Sequence, residues 1–132
     1  MIRYALGIGC DRGTPLQSLQ EALTLALKEK SIEVAQILRI ATIDKKSDEV
    51  GILQLAELLG LKIQFYSAEE LALVEVPNPS AVVLKYMGTP AVSEAAALLA
   101  AQTQMEDLVI EKYKYKGSDG KNATISVALI KE

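Results

Sequence analysis

Apolar and polar positions along the chain switch between strand-like and helical periods several times. Residues 4–9 are a short, mostly apolar run closed by glycine, which suits a strand buried on both faces. Leu16, Leu19, Leu23 and Leu27 then recur at helical spacing as far as Lys28-Glu29-Lys30, predicting a helix with one apolar face. Thr14 at the N-cap, Pro15 at the first helical position and Gln17 two residues further on read as its capping box. Residues 37–43 form a second apolar run. Ile52, Leu55, Ala56 and Leu59 make the stripe of a second helix that stops at Gly60, a C′ residue. Residues 61–66 predict a third strand, and Ser67 with Glu70 makes a capping box for a short helix to about residue 73.

Beyond Pro77-Asn78-Pro79-Ser80, residues 80–87 are helical in pattern, with Ser80 as cap. Gly88-Thr89-Pro90 repeats the Gly-Thr-Pro of residues 13–15 as a way of starting a helix, here an Ala-rich one to about residue 102. Residues 108–115 and 123–130 are β-prone and joined by a polar loop with two glycines, as in a hairpin. The order βαβαβα, two helices and a hairpin predicts an α/β fold. It is a three-layer α/β/α sandwich whose mixed sheet is parallel in its N-terminal part and antiparallel at the C-terminal hairpin. The loops that follow the three parallel strands, residues 9–14, 44–49 and 67–70, are expected to share one rim, where ligands bind in such sheets.

The chain of 132 residues fits one domain, 1–132, long enough to bury roughly two-thirds of its unfolded surface. Half of the residues are hydrophobic and 23% are charged, which excludes a disordered chain. A net charge of −3, scattered Lys and Arg, and only five Tyr and one Phe argue against nucleic acid. Cys10 is the single cysteine, so no internal disulfide exists and a reducing compartment is expected. Met1-Ile2-Arg3-Tyr4 lacks the apolar core and cleavage site of a signal peptide, and no apolar run approaches the roughly 20 residues of a membrane span. These features predict a cytoplasmic protein without a membrane partner.

The chemistry concentrates in Gly7-Ile-Gly-Cys-Asp-Arg-Gly-Thr-Pro15. Glycines let backbone approach a ligand, the following helix start favours negative charge, and Arg12 adds a bidentate grip on a carboxylate or phosphate. The same glycines also suit a ligand-free tight turn. Their spacing, Gly-x-Gly-x-x-x-Gly, is one residue too long for the dinucleotide fingerprint, and no acidic residue closes the second strand. A Walker A loop is absent. Cys10, near a helix start and beside Arg12, is expected to have a lowered pKa, yet the chain has no histidine to act as its base. Most single cysteines at a strand end are small packing residues. No metal site and no cofactor are expected: without His and with one Cys, only a carboxylate site for a hard cation remains. In Asp44-Lys-Lys-Ser-Asp-Glu49, Lys46 reads as an anion contact and Asp44 or Glu49 as a general base. The same segment also reads as a solvated loop in which Ser47 or Asp48 caps the next helix. Asn78, held between two prolines, is either a ligand hydrogen-bonding group or part of a rigid bend.

Five segments taken in order resemble the CobE/CbiG C-terminal domain family of cobalamin biosynthesis. They are residues 7–14, Ile-Asp-x-Lys-x-Asp-Glu at 43–49, Phe-Tyr-Ser-Ala-Glu-Glu-Leu at 65–71, Val-Pro-Asn-Pro-Ser at 76–80, and Gly-Thr-Pro-Ala-Val-Ser-Glu-Ala-Ala-Ala at 88–97. The likeness covers nearly the whole chain and thins in the final hairpin. Where the family often has a basic residue after the cysteine, this chain has Asp11. The resemblance implies the C-terminal part of a cobalt-precorrin-5A hydrolase, which opens a ring-A lactone and releases acetaldehyde, or the similar stand-alone domain of the aerobic pathway. It further implies a precorrin or cobalt-precorrin ligand and possible contacts with other corrin-pathway enzymes. Such intermediates carry many acetate and propionate groups, so several anion contacts are needed. The residues expected to supply them are Gly9, Cys10, Arg12, Gly13, Thr14, Lys46, Ser67 and Asn78, with Asp44 and Glu49 as the catalytic carboxylates. A non-catalytic interaction subunit docking through the Ala-rich helix or hairpin edge, and a nucleotide-binding module, are the alternatives.

Overall fold

The computed structural model describes residues 2–131. Among them, five strands form one sheet in the order β3-β2-β1-β5-β4. The central strand β1 (Arg3–Cys10) pairs in parallel with β2 (Ile37–Ile43), and β2 in parallel with β3 (Ile63–Tyr66). On its other side β1 pairs antiparallel with β5 (Asn122–Ile130), which pairs antiparallel with β4 (Leu108–Lys116). Parallel neighbours need crossovers, and α1 (Leu16–Glu29) and α2 (Val50–Leu59) supply them. The mixed sheet predicted from the pattern is therefore present.

Side-chain alternation divides the interior in two. Leu6 and Ile8 of β1 pack with Leu19, Leu23 and Ile52 of α1 and α2. Ala5 of the same strand joins a second cluster with Leu71 of α3 (Ala68–Ala72) and the alanines of α5 (Ser93–Ala101). Successive β1 residues thus face different helices. The helix α4 (Ala81–Met87) differs, because none of its residues is buried.

α5 lies against β1 at the closest approach that side chains allow. A methyl group built on Gly7 would stand 1.9 Å from the Ser93 carbonyl oxygen and 2.6 Å from the Ala97 nitrogen. The alanines of this helix are thus packing residues, and Gly7 is their counterpart in the strand. A buried bond from Ser126 Oγ to Ser93 Oγ, 2.9 Å, fixes the start of α5 over β5.

Several predicted caps hold. Ser67 Oγ accepts from the Glu70 amide at 3.1 Å and Glu70 Oε1 from the Ser67 amide at 2.9 Å, Ser80 Oγ accepts from the Val83 amide, and Gly60 ends α2 in the left-handed region. Others do not. Pro15, in an extended conformation, is the N-cap residue of α1, and no side chain caps this helix. Thr14 is buried and donates its hydroxyl to the Asp11 carbonyl at 2.7 Å, closing the glycine turn instead. Neither Ser47 nor Asp48 caps α2, whose N-cap is Glu49. The second Gly-Thr-Pro likewise precedes a helix without starting it: Gly88 terminates α4 with φ 78°, and α5 begins at Ser93. In both copies proline disfavours the helical region for the threonine before it, and the helix starts later, at Leu16 and at Ser93.

Gly7→Ala is expected to destabilise the protein by about 3 kcal/mol or more, because its methyl meets backbone that cannot yield without moving α5. Urea unfolding of the variant checks this; a change within about 0.5 kcal/mol would contradict the tight α5–β1 contact.

Candidate functional site

The C-terminal ends of β1 and β2 open into a cavity of about 790 Å³. Register explains which segments meet there. Antiparallel pairing sets Cys10 opposite Ala123 and Gly9 opposite Thr124, so the start of β5 lies beside the end of β1, and Lys114 pairs with Thr124 one strand further out. Gly9, Cys10, Asp11 and Arg12 form one wall, and Ile43, Lys45 and Lys46 continue it from β2. Val82, Val83, Tyr86 and Met87 of α4 make an apolar wall opposite, with Val92 at the foot of α5. Lys112 and Lys114 close the side formed by the hairpin.

The two βα loops behave as one piece because of Glu49. Its side chain is 2% exposed; Oε2 accepts from the Gly13 amide at 2.9 Å, while Oε1 lies 3.1 Å from Arg12 Nη1 and 3.7 Å from Lys46 Nζ. Gly13 has φ 83°, a conformation that suits glycine and aims this amide at the carboxylate. Arg12 also donates from Nη1 to Asp48 Oδ1 at 2.9 Å and from Nη2 to the Lys45 carbonyl at 3.2 Å. The Lys45 ammonium in turn donates to the Met87 carbonyl at 2.9 Å, tying the end of α4 to the β2 loop.

Arg12, Lys45, Lys46, Lys112 and Lys114 thus line the cavity against one acidic lining residue, Asp11. Asp11 is already engaged: its Oδ2 accepts from the amide and side chain of Asn122 at 2.8 and 3.0 Å. The residue that departs from the resembled motif therefore fastens the glycine turn to the hairpin. A chain with net charge −3 carries a locally positive hollow.

The lowered pKa expected for the Cys10 thiol is reversed by burial. Burial pushes Cys10 up to about 11, with Lys46 pulling it down and Glu49 pushing it up again. Desolvation outweighs the cations, so the thiol stays protonated near neutrality.

The other expected residues are dispersed. Gly9, Cys10, Arg12 and Lys46 line the cavity, whereas Gly13 and Thr14 build the turn behind it. Ser67 is occupied in its capping box and is not on the wall. Asp44 is exposed and also off the wall, and Glu49 faces Gly13, Arg12 and Lys46. Asn78 sits in an adjoining hollow of about 480 Å³ that shares Ser80, Lys112 and Lys114 with the cavity. Its amide nitrogen donates to Glu94 Oε2 at 2.7 Å and to Glu111 Oε1 at 3.0 Å, pinning the bend to α5 and β4. No cluster able to hold a metal ion occurs among the described residues.

Sequence reasoning missed Lys112 and Lys114, although the run Lys112-Tyr-Lys-Tyr-Lys116 signals them. Its period of two sends Tyr113 and Tyr115 into the α1 side of the interior and leaves the alternate lysines for the other face. It also missed Glu94, a buried acid within an alanine run. Glu94 is 1% exposed and its Oε1 has no hydrogen-bond partner. Burial pushes its pKa up, against the lowering effects of the Asn78 hydrogen bond and Lys112, while Glu111 raises it further.

A mixed α/β domain with a basic, half-apolar hollow at its strand ends is the class that fold and site define. The family model described as "Cobalamin synthesis G C-terminus" matches residues 4–128, and the chain belongs to that family. It is 36% identical over 126 residues to the cobalt-precorrin-5A hydrolase of Priestia megaterium, covering 96% of this chain and 32% of that protein. It is 30% identical to Protein CobE of Sinorhizobium sp over 81% of this chain and 70% of that one. The chain thus spans about a third of the length of the hydrolase and most of CobE. The crystal structure of CobE, a protein from the cobalamin (vitamin B12) biosynthetic pathway, superposes with a TM-score of 0.82 at 34% identity, covering 97% of this chain and 90% of that one.

Glu49→Ala leaves Lys46 buried without its counter-ion and is expected to cost about 3 kcal/mol in urea unfolding, whereas the paired change Glu49→Leu with Lys46→Met recovers most of that loss. Glu94 gives a pH signature. Its raised folded pKa means that the folded state holds the proton more tightly than the unfolded chain, so its contribution to stability is full below the ordinary carboxylate range and is lost as pH rises through the raised value. Unfolding free energies measured across mildly acidic to neutral pH are expected to fall more steeply for the natural protein than for Glu94→Gln; parallel curves would refute the assignment.

Proposed function

We propose that the cavity binds a precorrin or cobalt-precorrin, a macrocycle with an apolar face and a rim of acetate and propionate groups. The single observation that carries this reading is the pairing, in one hollow, of an apolar wall from α4 with five cationic side chains. The apolar wall suits the ring, and the cations suit the carboxylates, which seek charge-assisted bonds in bidentate form at Arg12 and as point contacts at the lysines. The volume falls within the range of about 300–1,000 Å³ usual for small-molecule sites, enough to seat one side of a macrocycle while the rest stays open. The relative of Priestia megaterium is named a cobalt-precorrin-5A hydrolase, which supports a ligand from that stretch of the pathway.

This domain holds and orients the substrate. Two features support binding over water activation by Asp44 or Glu49: Asp44 stands off the cavity wall, and Glu49 is buried against Gly13, Arg12 and Lys46. Glu49 serves as a positioning residue for Arg12, fixing the direction in which the guanidinium presents its charge.

Titration with cobyrinic acid, a corrin with free carboxylates, is expected to move the amide resonances of residues 9–12, 45–46, 82–87 and 112–114 most. Shifts spread evenly over the chain, or confined to the 117–121 loop, would reject the site. The double variant Lys112→Gln, Lys114→Gln is expected to bind about tenfold more weakly and with a shallower salt dependence.

A further inference from the structure

We infer that the outward corner of the Arg12 guanidinium is a subsite for one carboxylate of the ligand, with Asp48 as its internal competitor. The inference rests on the reading of the cavity as a polycarboxylate site and adds to it a residue that sets affinity and selectivity.

Three contacts hold Arg12, and they are unlike one another. Two come from the protein side: the Lys45 carbonyl accepts from Nη2 at 3.2 Å, and the buried Glu49 Oε1 lies 3.1 Å from Nη1. The third, to Asp48 Oδ1 at 2.9 Å, joins an arginine side chain that is 59% exposed to an aspartate that is 79% exposed. An ion pair in that much solvent is weak and screened, so exchanging it for another carboxylate costs little. The two inner contacts remain when Asp48 leaves, and the guanidinium keeps its aim. Arg12 lines the cavity whereas Asp48 does not, so the exchange transfers the bond from the surface into the hollow. Arg12 holds the Asp48 carboxyl below its ordinary range, chiefly through their hydrogen bond, which keeps the competitor charged throughout the neutral range.

Competition makes the subsite selective. A free carboxylate on the ligand matches Asp48 in charge and displaces it, whereas a carboxamide brings no charge and does not. The subsite therefore favours corrin precursors whose side chains are still acids over those already amidated.

The test compares the natural protein with Asp48→Asn by titration with cobyrinic acid and with dicyanocobinamide, whose side chains are amides. Removing the competitor is expected to tighten cobyrinic acid binding by about three- to fivefold and to leave dicyanocobinamide unchanged. Equal or weaker binding of cobyrinic acid by Asp48→Asn would overturn the inference and make Asp48 a support for Arg12. A second arm uses tricarballylate, a small tricarboxylate, and follows the Arg12 Nε–H resonance, which is expected to move at lower concentration in Asp48→Asn. Identical titrations in the two proteins would also overturn the inference. If neither protein binds a corrin yet tricarballylate distinguishes them at Arg12, the carboxylate subsite stands and the macrocycle reading falls.

Discussion

The buried carboxylate of Glu49 is the interaction on which the rest of the site depends. It receives the amide of a left-handed glycine from the first βα loop, sits beside Arg12 of that loop, and neutralises Lys46 of its own. Lys46 is only 5% exposed, and an unpaired ammonium at that depth would be costly. Satisfying it fixes the distance between two loops that are separated in sequence by a helix and a strand. The cationic edge of the cavity is therefore a by-product of a buried charge requirement as much as of ligand chemistry.

A second constraint shapes the opposite wall. Gly7 and the alanines of α5 let helix backbone rest on the central strand, and the Ser126–Ser93 bond anchors the start of that helix. With α5 drawn so close to the sheet, its N-cap Val92 and first residue Ser93 form the foot of the hollow, and α4 stands away as a wall with no buried residue of its own. α4 is held chiefly at its ends: Asn78 reaches Glu94 and Glu111 before it, the Ser80 amide reaches the Pro90 carbonyl at 2.8 Å, and Lys45 takes the Met87 carbonyl after it. Close packing on one side thus leaves an apolar surface free on the other. That surface is the apolar face on which the proposed macrocycle binding relies.

Charge is distributed with the same economy. Asp11, which interrupts an otherwise basic turn, spends its carboxylate on Asn122, and Glu94 lies buried behind Asn78. Acids near the cavity are engaged in structural contacts, while Arg12, Lys112 and Lys114 reach its walls. The local field is positive although the chain as a whole is acidic.

What the chain states locally could be read directly. The apolar period of residues 4–9, the leucine stripe from Leu16 to Leu27, the Ser67–Glu70 box and the left-handed stop at Gly60 are all decided within a turn or two of backbone, so strands, helices and the mixed sheet followed from the pattern. Thr14 and Asp48 as helix caps, and Cys10 as a thiol of lowered pKa, are corrected by the structure for one shared reason. Each was assigned to its nearest helix start, but each takes its state from something else. Thr14 closes a turn on Asp11, Asp48 meets Arg12 from 36 residues away, and Cys10 is governed by burial rather than by the cation beside it. Lys112 and Lys114 enter the site only because antiparallel pairing carries the hairpin alongside the end of β1. Periodicity and capping act over a few residues and belong to the sequence alone; partner exchange, desolvation and strand register depend on neighbours that only the folded chain brings together.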